Sequence, residues 1–185
     1  FIVEKILFNV VLCTAMAKII EKRLIRKPDV YYYKIAAPLI SRKAQPGQFV
    51  IIRLHERGER IPLSLADIDP VEGTISLIVM AVGKTTSELS GYKEGDEILD
   101  LCGPLGMPTH IEKVGNVVRV GGGFGAAPLY PIARAFKAAG NAVTVIMGAR
   151  SKAATAYPAE RTAKRSAPAK ASRTMRGKLR SVAAM

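Results

Sequence analysis

Hydrophobic and polar positions between Lys18 and Leu101 fall into short segments rich in β-branched and aromatic residues: 18–25, 30–36, 48–54, 62–66, 74–82 and 97–101. Turn-forming groups separate them, namely Lys27-Pro28-Asp29, Gln45-Pro46-Gly47, Arg57-Gly58-Glu59, Glu72-Gly73 and Glu94-Gly95-Asp96. Strands at this spacing predict a six-stranded antiparallel barrel, because closure removes the exposed edges. Tyr31, Tyr32 and Tyr33 lie consecutively on one segment. Neighbouring strand residues point to opposite faces, so one or two of them are expected in the core and the rest in water.

Beyond residue 106 the period changes. An apolar strand, Val117 to Val120, enters Gly121-Gly122-Gly123-Phe124-Gly125-Ala126-Ala127-Pro128. A helical pattern follows, with Ile132, Ala135, Phe136 and Ala139 before Gly140, and then a second strand, Val143 to Met147. The helix is expected to begin near Pro128 or Pro131, since proline is tolerated in a first turn, and Gly140 to stop it. Glycines directly after a strand let the backbone approach an anion, while the N–H groups opening the next helix face it. The loop fits two fingerprints. Counted from Gly121 it reads G-x-G-x-x-A, and counted from Gly123 it reads G-x-G-x-x-P. The first expects an acidic residue at the end of the second strand to hold a ribose hydroxyl, where this chain has Gly148-Ala149-Arg150.

Charge changes the picture less than its total suggests. The net charge is +13 over 185 residues, but residues 150–185 hold ten Lys or Arg against Glu160 alone. Residues 1–149 carry 18 basic and 14 acidic residues, so the basicity belongs to the tail rather than to the fold. Cys13 and Cys102 are far apart in sequence and match no metal-binding spacing. Cys102 reads as a small buried residue closing a strand. His55 and His110 stand alone and do not suggest catalysis. At the start, Phe1 is not methionine, and 6–15 is apolar but too short to span a bilayer. A signal peptide is a formal option. The simpler expectation is that Met16 is the natural start and that 1–15 is leader or upstream sequence.

Two barrel loops carry candidate chemistry. Arg60-Ile61-Pro62-Leu63-Ser64-Leu65 offers a phosphate-pairing arginine, a backbone-shaping proline and a hydroxyl. Gly83-Lys84-Thr85-Thr86-Ser87-Glu88-Leu89 turns a strand into a short helix whose hydroxyl-rich start suits a pyrophosphate. The alternatives are a solvated hairpin arginine and an ordinary Ser/Thr helix cap.

In order along the chain, Pro46-Gly47-Gln48-Phe49-Val50, Arg60 to Asp67, Val82-Gly83-Lys84-Thr85-Thr86, Gly103-Pro104-Leu105-Gly106 and Gly121 to Tyr130 resemble the ferredoxin reductase superfamily. More narrowly, they are similar to the electron-transfer subunit of dihydroorotate dehydrogenase B. They are equally similar to the small (alpha) subunit of NADH-dependent ferredoxin:NADP oxidoreductase, also known as a sulfide dehydrogenase subunit. The resemblance covers about residues 16–150 and lies in the order of the motifs. It implies a β plus α/β chain: a flavin-binding barrel (16–106), then a truncated Rossmann-like nicotinamide-binding domain (107–150).

It further implies that Arg60, Ile61, Pro62, Leu63 and Ser64 form the first flavin-binding segment, that Ile78, Val79 and Met80 line the isoalloxazine and ribityl chain, and that Thr85 and Thr86 meet the FAD pyrophosphate. Gly121, Gly122, Gly123, Phe124, Gly125 and Pro128 belong to the loop beside which NAD(P)H docks. No side-chain acid or nucleophile is then needed, since the flavin supplies the chemistry. The implied partner is a catalytic flavoprotein subunit in a cytoplasmic hetero-oligomer, with no nucleic acid or membrane involved.

Two departures stand out. The relatives carry a [2Fe-2S] cluster on cysteines near their C-terminus, and no cysteine follows Cys102. They also continue through further βα units, whereas after Ala149 the Leu, Ile, Val and Phe content is Leu179 and Val182. Residues 151–185 can be read as a disordered basic arm for nucleic acid or anionic membrane, or as an extension without a partner. The preferred reading is the product of a frameshift in a GC-rich gene, given the Ala/Arg/Pro/Ser/Thr bias. The alternative class is a non-enzymatic nucleotide- or nucleic-acid-binding protein with a basic tail.

Overall fold

The computed structural model describes residues 12–26 and 29–148. Residues 1–11 of the expected leader (1–15) and the basic tail with Arg150 lie outside the described residues. Six strands, β1 (Leu12–Arg26), β2 (Val30–Ala36), β3 (Phe49–Arg53), β4 (Ile61–Asp69), β5 (Thr74–Met80) and β6 (Glu97–Leu105), close into a barrel in the order β1-β2-β5-β4-β3-β6. All its pairings are antiparallel. Two short helices, α1 (Pro38–Lys43) and α2 (Lys84–Leu89), sit in the connections after β2 and β5. Beyond the barrel, β7 (Asn116–Gly122) and β8 (Ala142–Gly148) pair in parallel across α3 (Leu129–Ala138), as a strand-helix-strand crossover requires.

The barrel interior is filled by inward residues such as Ile19, Ile35, Ile52, Leu65, Leu77 and Ile98, each fully buried. Burying a side chain of this size stabilises the fold by about 1.5–3 kcal/mol. Tyr33 is 1% exposed and donates to Leu89 O at 2.8 Å, so burial pushes its phenol pKa well above the ordinary value, with Tyr31 adding to the shift. Tyr32 on the opposite face is also buried, under the Arg23 guanidinium 4.7 Å from its ring centre, and its hydroxyl meets Ser76 Oγ at 2.8 Å. Tyr31 is half-buried.

The boundary expected at Met16 falls inside β1, whose apolar opening residues Leu12 to Ala15 pair with Gly103 to Asp100 of β6. That register sets Cys13 opposite Cys102, and the two are joined as a disulfide. Cys102 is therefore half-buried and cross-linked, not an isolated buried thiol as its local sequence implies. The pairing depends on which strands become neighbours, and no local pattern encodes that.

The chain leaves the barrel through a tightly packed corner. Gly47 has φ +94°, and a Cβ there would lie 2.3 Å from Thr109 Oγ1, so the position accepts only glycine. Gln48 Nε2 donates to Gly106 O at 2.8 Å, and Thr109 N donates to Pro46 O at 2.9 Å. In the α/β half, α3 starts at Leu129 after Pro128 and ends before Gly140, which takes φ +85°. The helix lays Pro131, Ile132 and Phe136 inward. Asn141 is buried at the start of β8; its Oδ1 accepts from Val114 N (2.7 Å) and Gly115 N (2.9 Å), and its Nδ2 donates to Glu112 O and Phe136 O (both 2.9 Å). One side chain thus ties the approach to β7 to the end of α3.

Candidate cofactor site

The barrel is not zipped along its whole length. The β4–β5 ladder runs from Asp69↔Thr74 to Leu65↔Leu77 and goes no further. Residues 61–64 instead pair with β3 on their other side, and 78–80 pair with β2. The first half of β4 and the second half of β5 therefore splay apart. Leu65 N donates to Gln48 O at 3.1 Å, so alternation sends the amides of Ile61 and Leu63 toward β3 as well. The even positions face the gap.

Side chains sort by the same alternation. Ile61, Leu63 and Val79 pack in or against the core. Pro62 and Ser64 are exposed and Ile78 and Met80 half-buried, on the outer face of the splayed strands. Of the residues expected to meet a flavin in these two strands, Pro62, Ser64, Ile78 and Met80 face the opening, whereas Ile61, Leu63 and Val79 turn their side chains to the core and their amides toward the neighbouring strands β3 and β2.

Arg60, just before β4, is half-exposed and reaches Asp100 Oδ2 with Nη1 at 3.1 Å. Arg53 holds the same oxygen at 2.6 Å, so one carboxylate serves two guanidiniums and the cluster keeps an excess positive charge. At α2, Thr86, the third helical residue, accepts with Oγ1 from Gly83 N at 2.9 Å and Val82 N at 3.2 Å, so its side chain reaches back to the residue that caps the helix. Thr85 is 6% exposed and its hydroxyl donates to Glu59 Oε2 at 3.2 Å, which links α2 to the loop that delivers Arg60. Lys22 Nζ donates to Tyr92 O at 2.7 Å and also to Ser90 O. With Tyr33 on Leu89 O, it fixes the carbonyls that end this helix. Burial lowers the Lys22 pKa, partly offset by Asp96 and reinforced by Lys93.

The expected glycine loop divides between two structures. Gly121 and Gly122 end β7, and Gly123 to Ala126, including Phe124 and Gly125, form a short 3-10 turn. Gly123 has φ +54°, and Pro128 is the residue capping α3. Both ways of counting the loop share Gly123, the position where the backbone turns left-handed. Arg134 of α3 connects this half to β4 through Asp67 Oδ1 at 2.9 Å. His55 and His110 pair with Glu88 (3.0 Å) and Glu112 (3.4 Å) at the surface.

Sequence reasoning missed Glu59, Asp100, Asn141 and Arg134. Each acts on a partner remote in sequence, so no spacing announces it. Among the described residues no group of three or more His, Cys, Asp or Glu could hold a metal, and no helix is long and apolar enough to cross a membrane.

The splayed strands fit a flat, partly apolar ligand that carries phosphates. Ile78 and Met80 supply apolar contact, β4 offers unpaired backbone groups, and a cation and a hydroxyl-bearing helix start lie in the flanking loops. No protein-family model matches the chain. A dihydroorotate dehydrogenase B (NAD(+)) electron transfer subunit homolog of Thermotoga maritima is 57% identical over 139 residues, covering 75% of this chain and 49% of the relative. The dihydroorotate dehydrogenase B (NAD(+)) electron transfer subunit of Fusobacterium nucleatum is 33% identical over 147 residues, covering 76% of this chain and 56% of that one. A solved structure of NADH-dependent reduced ferredoxin-NADP oxidoreductase superposes with a TM-score of 0.74 at 54% identity, covering 80% of this chain and 53% of the other. The chain spans about half the length of the curated relatives it matches. By sequence and by fold it belongs to the ferredoxin reductase-like family, as a homologue of the dihydroorotate dehydrogenase B electron transfer subunits.

Proposed function

We propose that the chain is the cofactor-binding part of an electron-transfer subunit that takes electrons from NAD(P)H through FAD to a partner flavoprotein. The carrying observation is the early end of the β4–β5 ladder at Leu65↔Leu77, which opens the barrel at the residues that match the family's flavin segments. In this reading Pro62, Ser64, Ile78 and Met80 orient the isoalloxazine and ribityl chain. Arg60 and the start of α2 at Thr85 and Thr86 hold the pyrophosphate by charge and N–H donation. Gly121 to Pro128 admit the nicotinamide nucleotide close to the backbone.

When bound, the flavin supplies the redox chemistry, accepting two electrons and releasing them singly. The chain's own residues bind, orient and exclude water, and no acid or nucleophile need act. The partner is a catalytic oxidoreductase subunit of the dihydroorotate dehydrogenase or ferredoxin:NADP oxidoreductase type, in the cytoplasm. Purified protein should be yellow, and its flavin should bleach anaerobically on addition of NADH or NADPH. A colourless protein that takes up no added FAD refutes the proposal.

A further inference from the structure

Arg134 projects from the middle of α3 onto β4. Its Nη1 lies 2.9 Å from Asp67 Oδ1 and its Nη2 donates to Ile68 O at 3.0 Å. The guanidinium also lies 5.5 Å from the ring centre of Tyr130, one helical turn earlier. The partner residue is held in place as firmly. The β4–β5 register shifts between Leu65 and Asp67, the kind of irregularity that re-aims a side chain. The Asp67 carboxylate is then pinned by the Ile68 N–H at 2.8 Å.

The two elements joined here are the ones that carry the two candidate ligand segments. β4 begins with the open stretch 61–64, and α3 begins directly after the glycine loop. We propose that Arg134 and Asp67 are positioning residues that set the approach of the nucleotide loop to the open strand, and so the spacing of the nicotinamide and flavin rings. This rests on the function proposed above.

Magnitudes favour an orienting role over a stabilising one. Arg134 is half-exposed, and an ion pair at that exposure contributes little to stability. Its two-point grip on a carboxylate and a backbone carbonyl nevertheless fixes direction, and a misplacement of about 1 Å between reacting groups costs on the order of 100-fold in rate.

The test compares wild type with Arg134→Met, Arg134→Lys and Asp67→Asn in three measurements: amide hydrogen exchange of the ligand-free protein, FAD affinity, and the anaerobic rate of flavin reduction at saturating NADH. In Arg134→Met the α3 amides should exchange about tenfold faster while β2 and β5 amides keep their protection. FAD affinity should stay within about twofold, and reduction should slow by roughly 10- to 100-fold, with Arg134→Lys in between. Exchange and reduction at wild-type rates in all variants overturn the proposal. Loss of FAD in step with the slower reduction also overturns it, because Arg134 would then be a general prop. A wild-type protein that binds no FAD, or is not reduced once loaded, overturns the functional reading and the positioning role with it. Faster α3 exchange in the variants would in that case still identify the clamp as a mechanical link.

Discussion

Replacing Asn141 by alanine should loosen the α/β half more than any surface change. The side chain is 6% exposed and makes four hydrogen bonds, two as acceptor and two as donor. A typical bond contributes about 1 kcal/mol net, so counting bonds alone gives about 4 kcal/mol. Val114 is exposed, however, and water can reach the two amides at 114 and 115 once the side chain is gone. The bond to Phe136 O is buried, but that carbonyl keeps the Asn141 backbone N–H at 3.2 Å and so is not orphaned. The expected loss is therefore about 2–3 kcal/mol.

Asn141→Asp should do no better. It keeps an acceptor for the two amides but sets a carboxylate against the Glu112 and Phe136 carbonyls, with no proton to share at neutral pH. Urea denaturation followed by far-UV circular dichroism measures both losses, and exchange at Val114 and Gly115 localises them. A loss below about 0.5 kcal/mol for alanine, or an aspartate variant as stable as wild type, refutes the reasoning.

Further expectations concern the barrel. Arg60→Ala should weaken FAD binding about tenfold in a fluorescence-quenching titration and reduce its salt dependence, since a charge-assisted bond to phosphate is removed from a half-exposed position. Tyr33 gives a pH test: its pKa is raised in the fold, so its contribution is complete below about pH 10, the ordinary tyrosine value, and is lost as pH rises above it. Wild type should lose up to about 1.4 kcal/mol per pH unit there from this group, and Tyr33→Phe, although about 1 kcal/mol weaker at neutral pH, should show a shallower alkaline decline.

The strands were legible because turn residues and β-branched runs are local signals. Val30 to Ala36 begins and ends where the pattern places it, and β6 begins at Glu97 as expected but runs on past Leu101 to Leu105. β1 extends further than expected because Leu12 to Ala15 gain a partner in β6, a long-range event. The site was legible as segments and not as geometry. The order of the Arg60, Thr85 and Gly121 motifs locates three loops. It does not reveal that Ile61 and Leu63 turn inward, that Asp100 shares its oxygen between Arg53 and Arg60, or that Arg134 reaches β4. These depend on register and on contacts between distant parts of the chain.

The splayed opening also bears on how the protein avoids its own kind. A strand left unpaired on one side is a template for edge-to-edge aggregation. Here the residue whose amide would point into the gap at the centre of the open stretch is Pro62, which faces Ile51 across a pair that exchanges no backbone bonds and has no N–H to offer. An incoming strand would find an interrupted ladder, while a ligand that binds by ring contact and phosphate charge loses nothing. The same proline that shapes the mouth thus discourages β-addition at it, so replacing it would open a route to self-association without touching a cofactor contact made by charge.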